Sequence, residues 1–475
     1  MVSGDTSMRI ALVYAPYHNK LFNENLTTVD DEFGKYTPLN LLYLASILRK
    51  DGHDVQVVDA YAENLSKDEA LERVAEFDPT LIGFSLHAVV NFYDTLDWIR
   101  HFKKHLPVPN LVGGTCFSGY PDECMTHKEI DFGIIGTALG TVPHFLHEFR
   151  NGRRFHEVPG LCYREGGEAR INRVPKAKEP VHHLPMPARD LIRNEKYYQY
   201  ISKRRNFTIM MTMMGCPFRC NFCPIPSKPF NIRTVESVLA EIDDCYHQHG
   251  IREIDFFDAI LPISGRRMRK ICEGLIRRGY DLVWSCRSRV DNVNGELLHL
   301  MARAGCVRIY YGIEAADAST LDSIKKDISL DRVRETIRLT NEAGIKPLGF
   351  FIIGNPGETK ERARNTMRLA KSLNLEYAQF SLMTAKMDTP LYDELIEHIG
   401  YDYWREYIRG TVEEQVLPRP WTELAHEEVV ALTKEAYIRF YLTPGHVLRI
   451  LHKVCSFDEL QRYVKAGVKM LVLAR

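Results

Sequence analysis

Three cysteines stand close together at Cys216, Cys220 and Cys223, in the run Gly-Cys-Pro-Phe-Arg-Cys-Asn-Phe-Cys-Pro over 215–224. A C-x3-C-x2-C spacing puts three thiolates on one loop, enough to hold three irons of a [4Fe-4S] cubane and leave the fourth bare. Zinc is an alternative, but a structural zinc site is closed by a fourth ligand. The nearest candidates for that ligand, Cys245, His247 and His249, lie more than twenty residues on, at what reads as a helix end. Buried thiols without a metal are a further reading. A disulfide framework fits poorly, because 11 cysteines is an odd number and a chain of 475 residues can bury a large core without cross-links.

The elements around this loop repeat a βα pattern. From Phe207 onward, apolar runs at about 207–213, 253–257, 282–286, 307–312, 348–353 and 377–382 alternate with amphipathic stretches. Six such strands predict a partial or full (β/α) barrel, with the cysteine loop after the first strand and so at the C-terminal mouth, where barrels place their chemistry. Several strand ends carry polar residues: Asp258, Arg287 and Arg289, Glu314, and the run Gly-Asn-Pro-Gly-Glu-Thr over 354–359. For Glu314 the plain alternative is an ion pair with a neighbouring Lys or Arg; for Glu358 it is the start of the next helix.

The first third reads as a separate α/β domain. Strands at about 8–15, 54–59, 81–86, 110–114 and 131–135 alternate with helices near 39–50, 66–77 and 91–105, and Ser66 with Glu69 forms a capping box. This order predicts a doubly wound, Rossmann-like parallel sheet whose ligand lies at the carboxyl ends of its strands. Those ends are the loops at 16–18, at 86–87 with His87, at Gly113-Gly114-Thr115 and at Gly136-Thr137. No G-x-G-x-x-G follows the first strand, so a dinucleotide site has no support. His18 and His87 are read first as loop or core histidines.

Bulk numbers narrow the function classes. Lys plus Arg equals Asp plus Glu at 62 each, which argues for neither a nucleic-acid partner nor an anionic membrane. No apolar run reaches the 18 or more residues of a membrane span, and residues 1–6 lack the pattern of a signal peptide. Cysteine usage without a secretion signal predicts the reducing cytoplasm.

Taken together, Cys216, Cys220 and Cys223 resemble the signature of the radical S-adenosylmethionine (SAM) enzymes. The N-terminal segment is similar to the cobalamin-binding domain that precedes the barrel in one large subfamily, through Pro-Leu-Asn-Leu-Leu-Tyr-Leu-Ala over 38–45, Gly-His-Asp-Val over 52–55 leading to Asp59, and Gly113-Gly114. The sequence departs from that pattern in two places. It has no D-x-H-x-x-G, and Gly-Thr-Ala-Leu-Gly over 136–140 stands where Gly-Glu-Gly-Glu is usual.

The resemblance implies a [4Fe-4S] cluster whose open iron is chelated by SAM, and one-electron cleavage of SAM to a 5′-deoxyadenosyl radical. It implies SAM contacts at Phe222, Asp258, Arg289, Glu314, Ile352 and Met383. It also implies cobalamin near His87, Gly113, Gly114, Thr115, Gly136 and Thr137. The implied architecture is a cobalamin-type domain over 8–150, a linker over 151–205, a partial (β/α)6 barrel over 206–395 and a C-terminal helical domain over 396–475. The implied reaction is methyl transfer to an unactivated carbon of a small-molecule or natural-product substrate, with flavodoxin or ferredoxin as electron donor. A radical enzyme without methyl transfer, such as a cyclase, deoxygenase or rearrangement enzyme with a corrin-free N-terminal domain, is the rival. A non-catalytic iron-sulfur or zinc protein is the reading from another class.

Overall fold

In the computed structural model, which describes residues 7–16, 34–172, 185–225 and 230–443, the apolar runs become the strands of two parallel sheets. The chain divides into two units. The first holds the described residues of Met1–Phe22, Lys35–Tyr198 and Tyr401–Val416, and the second those of Asn23–Gly34, Gln199–Gly400 and Leu417–Arg475.

In the first unit, β1 (Arg9–Tyr14), β2 (Asp54–Asp59), β3 (Leu81–Ser85), β4 (Asn110–Gly113) and β5 (Phe132–Ile134) form a parallel sheet in the order 2-1-3-4-5. These runs are apolar almost throughout because helices cover a parallel sheet on both faces. Leu39–Lys50 contributes seven buried residues, and the predicted capping box opens Lys67–Phe77, with the Ser66 hydroxyl and the Glu69 carboxylate bonded reciprocally to backbone amides. Asp59 ends β2 and is buried: its Oδ1 accepts the Ala62 amide at 2.8 Å and its Oδ2 the Tyr197 hydroxyl at 2.8 Å.

Residues 151–205, expected to be an irregular linker, are not one throughout. β6 (Leu161–Glu165) and β7 (Glu168–Ile171) form a hairpin that pairs antiparallel with β5 and extends the sheet. The cause is Gly166-Gly167, both left-handed at φ 60° and 89°, which suits a two-residue turn between twisted strands.

The second unit is the barrel sheet. β8 (Phe207–Met210), β9 (Glu253–Phe256), β10 (Val283–Ser288), β11 (Cys306–Glu314), β12 (Lys346–Ile353) and β13 (Tyr377–Leu382) lie parallel in chain order. Alternate residues such as Phe256, Cys286, Ile309, Tyr311, Phe351 and Phe380 point to the helices and form the main core. The opposite set points inward and includes a polar group, where Asp255 accepts from Ser285 at 2.9 Å and Arg287 at 2.7 Å.

The helical part expected over 396–475 is divided between the units. Tyr403–Arg409 packs on Pro121–Cys124 of the first unit, where the buried Glu123 accepts from Arg405 at 2.5 Å and Arg409 at 3.1 Å. His426–Tyr441 packs on the barrel sheet, with the Tyr441 hydroxyl accepting from the Ala378 amide and donating to its carbonyl. Residues 444–475, and with them the end of the expected C-terminal part, lie outside the described residues, as does His18.

Candidate active site

The cysteine loop is held at its root. Asp258, nearly fully buried at the end of β9, accepts from the Thr212 amide at 2.6 Å, the Thr212 hydroxyl at 2.6 Å and the Met213 amide at 3.0 Å. Burial pushes its carboxyl pKa up, and these three bonds and Arg267 oppose that shift. Asp258 therefore positions the loop from below, which leaves its expected contact with SAM without support: both oxygens are spent on backbone and Thr212. Met213–Met214 pairs with Asn231–Ile232 across the base of the loop, and the buried Arg233, ion-paired to Glu241, donates to the Met211 carbonyl at 2.8 Å.

Cys216, Cys220 and Cys223 are half-buried. Burial raises all three thiols, while Arg289 and Lys326 act against the rise at Cys216 and Cys220, and Lys386 with Lys326 at Cys223. Three thiols that influence one another within a field of three cations suit a negatively charged thiolate cluster. Among the described residues, no three His, Cys, Asp or Glu side chains converge on a single-ion site. A cubane asks for less convergence, since each thiolate takes a different iron.

Glu314 ends β11 beside these thiols. Its φ is +66°, in the left-handed region, and the register with β12 shifts between Gly312 and Glu314. A non-glycine residue held there costs free energy and points to a constrained site. Its buried carboxylate meets the buried Lys326 ammonium at 2.8 Å, so the plain ion-pair reading of Glu314 holds in this structure. Gly312 leaves the necessary room, since a Cβ there would come within 2.5 Å of Glu314 and 2.6 Å of Lys326.

The 323–327 turn that carries Lys326 also braces the cysteine loop. Asn221 donates its amide to the Ile324 carbonyl at 3.3 Å and its side chain to the Ser323 carbonyl at 2.9 Å. Arg289 is bidentate to Asp291 at 2.9 Å, reaches the Asp327 carbonyl at 3.1 Å and lies 4.0 Å over the Phe218 ring. Sequence reading found Arg289 and Glu314 but missed Lys326. Its signal, a Lys-Lys pair just after a short helix, has no local feature that marks a buried cation.

Of the remaining candidates, Phe222 is half-buried within the loop. Ile352 and Met383 lie at the ends of β12 and β13, where the Met383 amide bonds the Ile353 carbonyl at 2.8 Å. Both side chains are largely buried, so a ligand there meets mostly backbone. Glu358 closes its own turn by accepting from the Gly354 and Asn355 amides, a structural role. The segment after 417 crosses these strand ends: Trp421 donates to the Gly354 carbonyl at 3.0 Å and Arg419 to the Met383 carbonyl at 2.9 Å.

In the first unit the strand-end loops are built from backbone. Gly114 has φ +120°, and a Cβ there would stand 2.3 Å from the Leu86 carbonyl oxygen, so the chain's own close approach demands glycine. Gly113 faces open space and carries no such demand. Ser118 links two loops, donating to the Gly114 carbonyl at 2.8 Å and accepting from the Gly136 amide at 2.9 Å. His87, Thr115, Gly136 and Thr137 are exposed. Open backbone beside exposed small residues suits close approach by a flat macrocycle.

Comparison with known proteins agrees with both units. Residues 210–370 match the radical SAM superfamily, and residues 29–146 match the B12 binding domain. An uncharacterized methyltransferase of Pyrococcus horikoshii is 30% identical over 422 residues, covering 87% of this chain and 89% of that protein. The anaerobic magnesium-protoporphyrin IX monomethyl ester cyclase of Rubrivivax gelatinosus is 26% identical over 413 residues, covering 84% of this chain and 72% of the cyclase. Among solved structures, the cobalamin-dependent SAM radical enzyme OxsB, with aqua-cobalamin and SAM bound, shares the fold at a TM-score of 0.72 and 18% identity, over 98% of this chain and 72% of its own. Among the described residues, no helix is long and apolar enough to cross a membrane.

Proposed function

The chain belongs to the radical SAM superfamily and carries a B12 binding domain ahead of its barrel, and on that premise we propose that it is a methyltransferase acting on an unactivated carbon of a small-molecule or natural-product substrate. When bound, the [4Fe-4S] cluster and SAM supply radical chemistry and cobalamin supplies methyl-group chemistry.

The chain's residues then divide the work. Cys216, Cys220 and Cys223 hold the cluster, and Arg289, Lys326 and Lys386 offset its negative charge. Glu314, which now pairs with the Lys326 ammonium, would accept a hydrogen bond from the amine or a ribose hydroxyl of SAM. Phe222 and the backbone at Ile352 and Met383 flank the adenine. His87, Thr115 and the loops at 113–114 and 136–137 would hold the corrin, and the sequence offers it no D-x-H-x-x-G histidine. Flavodoxin or ferredoxin supplies the electron, in the cytoplasm.

The observation that carries this reading is the three-thiol loop braced against the same turn that pairs with Glu314. Anaerobic reconstitution with iron, sulfide and hydroxocobalamin tests it. The expected product holds about four irons and one base-off corrin per chain. The match to the cyclase favours a second reading, radical chemistry without methyl transfer. A fully loaded cluster with no retained corrin would decide for it.

A further inference from the structure

Most cations at the barrel's strand ends are matched by a carboxylate: Arg289 by Asp291, Lys326 by Glu314, Arg233 by Glu241. Arg419 is not. Its Nε donates to the Met383 carbonyl at 2.9 Å and its Nη1 lies 2.9 Å from His426 Nδ1, so neither partner is a carboxylate. Its stem passes the end of β12, where a Cβ on Gly354 would come within 3.8 Å of Arg419 Cδ. Among the described residues no carboxylate approaches it, and Nη2 has no partner. Burial lowers its pKa and no acidic group counters that shift. A half-buried guanidinium fixed through Nε and Nη1, with no carboxylate beside its remaining edge, offers that edge to an anion.

We propose that Arg419 is a specificity-determining residue that anchors an oxyanion of the substrate, a carboxylate or phosphoryl group, at the mouth of the barrel. With Nε and one edge of Nη1 committed, the Nη1–Nη2 edge is the part of the fork that can meet such a group. The oxyanion belongs to the substrate rather than to SAM. The charged amino-acid end of SAM is assigned to the cysteine loop and Glu314, whereas Arg419 stands at Met383, the end assigned to the uncharged adenine. The inference therefore rests on the radical SAM reading of the barrel mouth.

The test uses reconstituted holoenzyme as wild type, R419Q and R419K, with inorganic phosphate and SAM as probes in calorimetry. Wild type should bind phosphate saturably, R419Q more weakly by on the order of tenfold or more, the scale of a hydrogen bond between charged groups, and R419K in between. SAM should bind all three alike, and with phosphate present. The proposal is overturned by equal phosphate binding in R419Q, by no saturable binding in wild type, or by competition between phosphate and SAM, which would make the oxyanion SAM's own carboxylate. Should R419Q fail to fold, a loss of phosphate binding in R419K with its cluster spectrum intact supports the proposal, and full retention of binding beside free competition with SAM overturns it. Failure of the underlying reading looks different: wild type would then take up no iron and sulfide.

Discussion

The two sets of strand-end loops are made of opposite materials. At the barrel, two strand ends carry a charged side chain that another charged side chain holds: Glu314 with Lys326, Arg289 with Asp291. In the N-terminal unit, the corresponding loops present glycine and small residues, and Ser118 ties one loop's carbonyl to another's amide. Under the proposed function, the difference follows from what each would hold. A cluster and a zwitterionic cosubstrate need fixed charge in a place shielded from water, whereas a wide, flat macrocycle needs backbone that can be approached closely. One site is therefore specified by the side chains present, the other by the Cβ atoms missing.

The largest effect should come from the thiols. Changing Cys216, Cys220 and Cys223 together to Ala should abolish bound iron after anaerobic reconstitution, and about four irons per chain in that variant would refute the cluster assignment. Next is a pair of identical substitutions one residue apart. Gly114→Ala should destabilise the N-terminal unit by about 3 kcal/mol or more, because it combines a left-handed φ with a backbone clash at 2.3 Å. Gly113→Ala should cost under about 1 kcal/mol while lowering corrin uptake. Equal melting losses for the two would erase the contrast between glycine required by the chain and glycine kept for a ligand.

A third effect lies in the pH dependence of the N-terminal unit. Burial raises the Asp59 pKa to about 6, above its ordinary value of 3.8, against the pull of the Ala62 amide and the Tyr197 hydroxyl. The native state thus binds the proton more tightly than the unfolded state. The associated stability is complete below about pH 3.8 and is lost as pH rises through about 6, on the order of 2 to 3 kcal/mol in all. In Asp59→Asn this component of the pH–stability curve should vanish, and a curve unchanged between pH 4 and 6.5 would contradict it.

Glu314→Gln should weaken SAM binding by about 1.5 to 3 kcal/mol, the scale of a hydrogen bond to a charged group. It also strands a buried ammonium on Lys326, which destabilises the barrel. A double variant, Glu314→Gln with Lys326→Met, separates the two effects: stability should recover while SAM affinity does not. Calorimetry showing unchanged SAM affinity in either variant would remove Glu314 from the binding role.

What could be read from the residues is what depends on short range. The three-thiol spacing, the apolar runs of β1 to β5 and β8 to β13, and the Ser66 capping box are set by neighbours a few positions apart. The Gly166-Gly167 turn was equally local, yet a charged, glycine-rich surrounding made 161–171 look irregular. Other features escaped because tertiary approach alone creates them. Asp258 reads as a ligand group until Thr212 and Met213 occupy both its oxygens, and Lys326 reads as a surface lysine until the turn carries it to Glu314. Arg405 finds Glu123 at a separation of 282 residues, beyond any periodicity.

That last contact also constrains the order of events during synthesis. A ribosome releases β1 to β7 well before the barrel, yet Tyr401–Val416, which completes the first unit, emerges only after the sixth barrel strand. Until then Glu123, which is 1% exposed in the finished protein, has neither of the arginines that neutralise it, and the Pro121–Cys124 helix lacks its cover. The N-terminal unit therefore gains this part of its packing only after the barrel strands have been made. A nascent chain stalled at residue 200 should carry a protease-sensitive unit, and one stalled after residue 416 has cleared the exit tunnel should not.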